Sequence, residues 1–298
     1  MKVPALKRKA NQTVSLEQSN ALMCMRVYFR RDQTRVARGF TLMDVLVSII
    51  IIAVLMGLLL PSLNRASETA RRVSCQSNVR QIGLAIVMYA DDFGGYMPVS
   101  VFLHANTNQR GNDRPQNMST LLLPEAERLS GTAAWDGLGV LFANDYLSAP
   151  RVFYCPSHTG DHPFSRYTNL WSKDDFSNDD AVIVANYHYR GAGPGNGIRS
   201  TPGSPVQNIT TNLYRIDPAQ SSLVSDGMRV ASDYNHKMGV NFFRADLTTH
   251  WFADTTGQYR NLLPVNEEDF SSRLKVEQAW GLFDMNAVNG GTVIAPNP

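Results

Sequence analysis

Cysteine is scarce in this chain, and several residue patterns that would signal chemistry are missing. Three cysteines among 298 residues, Cys24, Cys75 and Cys155, are too few for a disulfide-built scaffold. No Gly-x-Ser-x-Gly nucleophile elbow and no Asp-x-Asp-x-Asp-Gly calcium loop occur. Internal repeats are absent as well. Charged residues make up only 18%, yet with 43% hydrophobic residues the composition is that of a folded protein rather than a disordered one. Long apolar runs are missing everywhere but one place, residues 42–60, LMDVLVSIIIIAVLMGLLL.

That segment dictates the topology. Nineteen residues at helical rise make roughly 28 Å, about one hydrocarbon core. The charge on either side is lopsided although the net is only +2. Residues 1–39 hold nine Lys/Arg against Glu17 and Asp32, which leaves nineteen basic and twenty-four acidic residues for the rest. A basic head before an apolar run puts the N-terminal side in the cytoplasm and the acidic bulk outside. This asymmetry gives no reason to expect nucleic acid as a partner. A cleaved secretory signal needs small residues after the run, and PSLNRASETARR offers no Ala-x-Ala. A lipoprotein signal needs a run ending at Cys, which neither Cys24 nor Cys75 provides.

Arg38-Gly39-Phe40-Thr41-Leu42-Met43-Asp44 stands before the run instead of after it. A Gly, then Phe, then an acid four residues on resembles the prepilin peptidase site of type IV pilins and type II secretion pseudopilins. The resemblance implies cleavage between Gly39 and Phe40 and N-methylation of the new Phe40. It also matches Pro61, the twenty-second residue counted from Phe40, to a proline that many pilins carry, with Gly57 one turn earlier. The family's usual acid is Glu, here Asp44, which in the family meets the N-terminal amine of a neighbouring subunit. Read from the residue alone, Asp44 is an acid suited to a helix N-terminus. The implied organisation is a basic leader 1–39, a membrane and assembly helix 40–60, its amphipathic continuation 61–92 and a periplasmic head 93–298. A leader of this length is unusual for the family, and Met25 offers an internal start giving MRVYFRRDQTRVARG.

Beyond Pro61 the pattern turns amphipathic. Cys75, Val79, Ile82, Ile86 and Tyr89 recur at helical spacing, and paired glycines at Gly94-Gly95 supply a left-handed exit. One helix over about 41–92 is expected, lipid-facing or subunit-facing first and head-facing second. The segment running from Pro61 to Pro98 resembles one large bacterial group of pilin-like proteins that also carries a C-terminal His-x9-Asp-Gly signature. His236, Gly239, Asn241 and Asp246 fit that signature, while Leu247 stands where Gly is expected.

The remainder reads as an α+β head, an antiparallel sheet packed on the helix stripe. Strands are expected at Val152–Tyr154, Ala181–Tyr189, Leu223–Ser225, Gly239–Arg244 and Thr248–Phe252, with a short helix over 139–147. The last two strands form a hairpin across Asp246-Leu247, where Leu disfavours the positive φ of a two-residue turn. His104–Asn117 and Gly191–Asn212 read as loops.

Cys155, His158 and His162 have zinc-ligand spacing but lack a fourth ligand nearby. Cys75 and Cys155, the pair left after loss of the leader, either bridge or remain buried thiols. Acidic clusters at Asp91-Asp92, Asp174-Asp175 and Asp179-Asp180 are oxygen-rich enough for calcium but read better as solvated turns. No cofactor is expected. His236, His250 and Asp246 allow acid–base chemistry on paper, yet no nucleophile accompanies them, so no enzymatic activity is expected. The function implied is a structural pseudopilin subunit of a type II secretion or type IV pilus-like filament in the inner membrane. Its implied partners are prepilin peptidase, other pilin-like subunits and an inner-membrane assembly platform. The competing reading is a membrane-anchored periplasmic binding module that never polymerises.

Overall fold

In the computed structural model, residues 40–103, 114–128, 134–172, 180–193, 211–265 and 271–288 are described. Gly39 and the rest of the leader, Cys24, most of the two predicted loops and the Asp174-Asp175 and Asp179 acids lie outside these residues. The chain divides between Val54 and Leu55 into two units.

Helix α1 (Leu42–Asp92) runs across that division as 51 residues of continuous helix. Its start is a reciprocal cap. The Asp44 carboxylate accepts from the Thr41 N–H at 3.1 Å, and the Thr41 hydroxyl accepts from the Asp44 N–H at 3.2 Å. Pro61 lies inside the helix without ending it, although it has no N–H to give to the Gly57 carbonyl. At the far end Gly94 adopts φ +63° and Gly95 donates back to the Ala90 carbonyl at 2.6 Å. That six-residue closure is the glycine exit expected from the sequence.

The first unit is α1 up to Val54, whose apolar residues from Leu42 onwards are exposed. The second unit is an α+β body. After α1 come β1 (Thr120–Leu122), α2 (Gly139–Ala143), β2 (Ile183–Val184), β3 (Tyr187–Tyr189), β4 (Ser222–Asp226), β5 (Gly239–Arg244), β6 (Thr249–Ala253), α3 (Gln258–Leu262) and α4 (Ser271–Val288). Strands β3-β4-β5-β6 form one antiparallel sheet in that order, and β1 pairs with β2 in a separate ribbon.

All six residues of β5 are buried, which requires cover on both faces of the sheet. Alternation along β5 sends Phe243 into one core with Cys75, Val79, Ile82 and Ile86 of α1, so the stripe read from spacing is the buried face of the helix. Val240 and Phe242 point the other way, into a second core built by Tyr259 of α3 and Val276, Ala279, Trp280 and Phe283 of α4. Phe242 stacks on Phe283 with ring centroids 4.6 Å apart.

Three expectations need correction. Residues 152–154 are not a strand: Pro150 opens a 3₁₀ turn over Pro150–Phe153. Ala181–Tyr189 is not one strand but two, in different sheets, because Asn186 breaks the run. Its backbone N–H donates to Phe153 O, its Oδ1 accepts from the Cys155 N–H and its Nδ2 donates to His162 O. The short helix ends at Ala143 rather than at 147.

Candidate functional site

The described part of the N-terminal segment begins at Phe40, which is exposed. Asp44 is engaged locally with Thr41, and Ser48 donates to the Asp44 carbonyl at 2.7 Å. Among the described residues α1 is the one helix long and apolar enough to cross a membrane, and its apolar window is wholly unburied. A single-pass membrane anchor fits these features.

Where α1 enters the body, the chain assembles a polar cluster within otherwise apolar packing. Cys75 on α1 is disulfide-bonded to Cys155, with Cα atoms 5.4 Å apart. His236, on the loop before β5, is almost fully buried beside the bridge. Its Nδ1 lies 2.8 Å from Glu68 Oε1, and its Nε2 lies 3.6 Å from Cys155 Sγ and 3.7 Å from Asp226 Oδ2. Asp226 ends β4 and is fully buried. Its Oδ2 accepts from the Asn241 backbone N–H at 2.6 Å and from Asn241 Nδ2 at 3.2 Å. Among the described residues its Oδ1 has no hydrogen-bond partner. Burial pushes the Asp226 carboxyl up to about 6, against the opposing pull of His236 and the Asn241 bonds.

The rim of this cluster ties helix to sheet. The Ser157 hydroxyl donates to Glu68, and Asn241 Nδ2 reaches the Arg72 carbonyl at 3.5 Å. Arg72 itself lies over the Trp251 ring, 4.3 Å from the centroid. Gly239 is required by close approach: an added Cβ would sit 2.1 Å from the Phe252 carbonyl oxygen and 2.7 Å from the Trp251 ring. His236, Gly239 and Asn241 of the signature therefore serve one place, the seat of α1 on β4, β5 and β6.

Asp246, the last signature residue, serves a different place. It lies in the β5–β6 turn, where its carboxylate accepts from the Thr248 N–H and hydroxyl. Leu247 donates to Arg244 O at 3.1 Å and adopts φ +67°, while Arg244 N–H bonds Thr248 O. This is a three-residue hairpin loop with a bulge, whose left-handed position usually holds Gly.

Other groupings suggested by the sequence take separate partners. His158 Nδ1 meets Asn235 Oδ1 at 2.8 Å, His162 meets the Tyr167 hydroxyl, and Cys155 is in the bridge. Burial, with Arg229 and Arg166 nearby, lowers the His162 pKa to about 3. His250 stacks on Phe242 and contacts Thr248 and Arg244, away from the partners of His236. Asp91 and Asp92 accept from the hydroxyls of Tyr214 and Tyr146.

Glu68, Arg72 and Asp226 were missed as site residues. Glu68, Arg72, Cys75 and Val79 are spaced four, three and four apart, so the charged pair extends the apolar stripe on the same helix face. That spacing was the available signal for Glu68 and Arg72. For Asp226 no local pattern exists.

The family described as "Protein of unknown function (DUF1559)" matches residues 64–228, more than half of the chain. No curated protein and no solved structure matches it.

Proposed function

The chain belongs to the DUF1559 family, and from that premise we propose that it is a pilin-like structural subunit. Prepilin peptidase removes the leader after Gly39, the α1 segment from Phe40 holds the chain in the bacterial inner membrane, and the body lies on the periplasmic side. Assembly with other pilin-like subunits, on an inner-membrane platform, makes a short filament of packed helices in a secretion or pilus-like apparatus.

The observation that carries this reading is the division of labour along α1. Residues 42–60 present exposed apolar side chains on every side, whereas Cys75 to Ala90 bury one stripe in the body. A helix with that pattern needs an apolar medium for its first half, lipid or neighbouring helices, and a folded partner for its second. Gly39-Phe40 placed before the run, with Asp44 four residues on, supplies the processing motif.

The test is the N-terminal mass of the membrane-fraction protein from strains with and without prepilin peptidase. Expected is a chain beginning at Phe40 and one methyl group heavier, only where the peptidase is present. An intact leader in both strains overturns the proposal and leaves an ordinary signal-anchored protein.

A further inference from the structure

The Cys75–Cys155 bridge stands inside a set of groups that has the composition of a transition-metal site. One ligand atom from each of Cys75, Cys155, Asp226 and His236 lies within 4.8 Å of every other, and all four residues are buried. We propose that, when the disulfide is reduced, these four residues bind one zinc-like divalent cation, so that α1 is held to the sheet by a covalent bridge in one redox state and by a metal in the other.

Two of the spacings are already near those of a tetrahedral shell. Zinc bonds of about 2.3 Å to sulfur and about 2.0 Å to nitrogen or oxygen place tetrahedral neighbours about 3.3 Å (N to O), about 3.5 Å (N or O to S) and about 3.8 Å (S to S) apart. His236 Nε2 already stands 3.6 Å from Cys155 Sγ and 3.7 Å from Asp226 Oδ2. Two sulfurs in a disulfide are too close to share a tetrahedral ion, and reduction frees them to separate. The surrounding groups are also those a metal-binding imidazole uses. Glu68 faces Nδ1 at 2.8 Å, so an Nδ1–H donated to its carboxylate leaves the Nε2 lone pair turned towards the sulfur and Asp226. That arrangement sets a lone pair against a carboxylate unless a proton or a cation lies between them. Asp226 adds a second sign of an unmet demand: it is fully buried, and one of its oxygens has no hydrogen-bond partner among the described residues. Glu68 is 44% exposed, which gives an ion a polar way in from solvent.

The chemistry balances. A dithiol reductant gives two electrons and two protons to the bridge, becoming a disulfide itself while Cys75 and Cys155 become thiols. The cation then displaces both thiol protons to solvent and is held by two thiolates, the Asp226 carboxylate and the neutral imidazole. No step depends on pilin-like assembly, so this proposal and the preceding one fail separately.

The experiment uses the detergent-solubilised full chain carrying Cys24→Ser, either oxidised or reduced with a phosphine that is then removed. Cobalt(II) is titrated as the visible probe and zinc is used to displace it. The reduced chain is expected to bind one cobalt per chain, with thiolate-to-metal charge transfer and tetrahedral ligand-field bands, and the oxidised chain none. Asp226→Asn and His236→Gln are each expected to weaken binding tenfold or more, and Glu68→Gln by about 10- to 100-fold through the imidazole it orients. His158→Asn leaves binding unchanged. If reduction alone unfolds the body, one equivalent of metal is expected to restore the native circular dichroism. Absence of cobalt binding by the reduced chain, failure of metal to restore a lost fold, or binding indifferent to both Asp226→Asn and His236→Gln overturns the proposal. The last result would mean a two-thiol site, with only a proton between His236 and Asp226.

Discussion

Leu247 shows how a single residue can carry strain that its neighbours absorb. The loop Ala245-Asp246-Leu247 is held by Leu247 N–H to Arg244 O, by Arg244 N–H to Thr248 O, and by the Asp246 carboxylate on Thr248. Those bonds fix a left-handed φ on a residue with a branched side chain, which costs about 1–2 kcal/mol relative to a right-handed conformation. Leu247 is 44% exposed, so packing offsets only part of that cost. Leu247→Gly is therefore expected to raise the unfolding free energy of the body by about 1 kcal/mol, after the extra backbone entropy of glycine is allowed for. Urea unfolding of both chains measures it, and a loss of stability would show that Leu247 is held by packing instead. That Leu sits badly in a two-residue turn was legible, because the objection is local; the loop is one residue longer, yet Leu247 still takes a left-handed φ. No site was legible at Asp226, since what makes that carboxylate unusual is burial beside His236, Asn241, Cys155 and Cys75, residues 10 to 151 positions away along the chain.

At the scale of elements, the joint between α1 and the sheet is tight enough to dictate residue size. A Cβ on Gly83 would lie 2.2 Å from the Phe243 ring, itself fully buried in β5. Alanine in mid-helix normally gains about 1 kcal/mol over glycine, while overpacking a closed core costs about 1–3 kcal/mol. Gly83→Ala is expected to destabilise the body by up to about 2 kcal/mol net. Gly281→Ala, in α4 with open space around the new methyl, is expected to gain up to about 1 kcal/mol. The two thermal or urea unfolding curves should thus move in opposite directions; movement the same way would mean that the Phe243 ring yields freely.

The α1 stripe was legible because a 3.6-residue period persists from Cys75 to Tyr89, and β5 because its run is long and uninterrupted. The 3₁₀ turn at Pro150–Phe153 was misread as a strand because Val152, Phe153 and Tyr154 favour strands. Pro150, pre-set for the first position of a helical turn, outweighed them. Helix α4 was overlooked although Val276, Ala279, Trp280 and Phe283 repeat at helical spacing. Its consequence is the second core, which explains why β5 has no solvent-exposed face.

For the whole molecule, the decisive question is what Asp44 meets at the head of an uncovered apolar helix. Within one chain it closes a reciprocal cap with Thr41, and such a cap is worth about 1 kcal/mol. That local role needs only a side chain able to accept from a backbone N–H, which Asn supplies as well as Asp. In the proposed filament the carboxylate must also face the amine of a neighbouring Phe40, because an unpaired charge within the membrane costs several kcal/mol. That second role requires negative charge, so the two are separable by substitution. A cysteine placed on the uncovered helix surface, as in Val54→Cys, reports neighbouring subunits by disulfide crosslinking in cells. Crosslinked species are expected for the otherwise native chain and for Asp44→Glu, and at least tenfold less for Asp44→Asn and Asp44→Ala, with cleavage after Gly39 and membrane retention unaffected. Equal crosslinking by Asp44→Asn would reduce Asp44 to a helix cap. No crosslinking by any of them would indicate a chain that stays a monomer and uses its body as a membrane-anchored binding module.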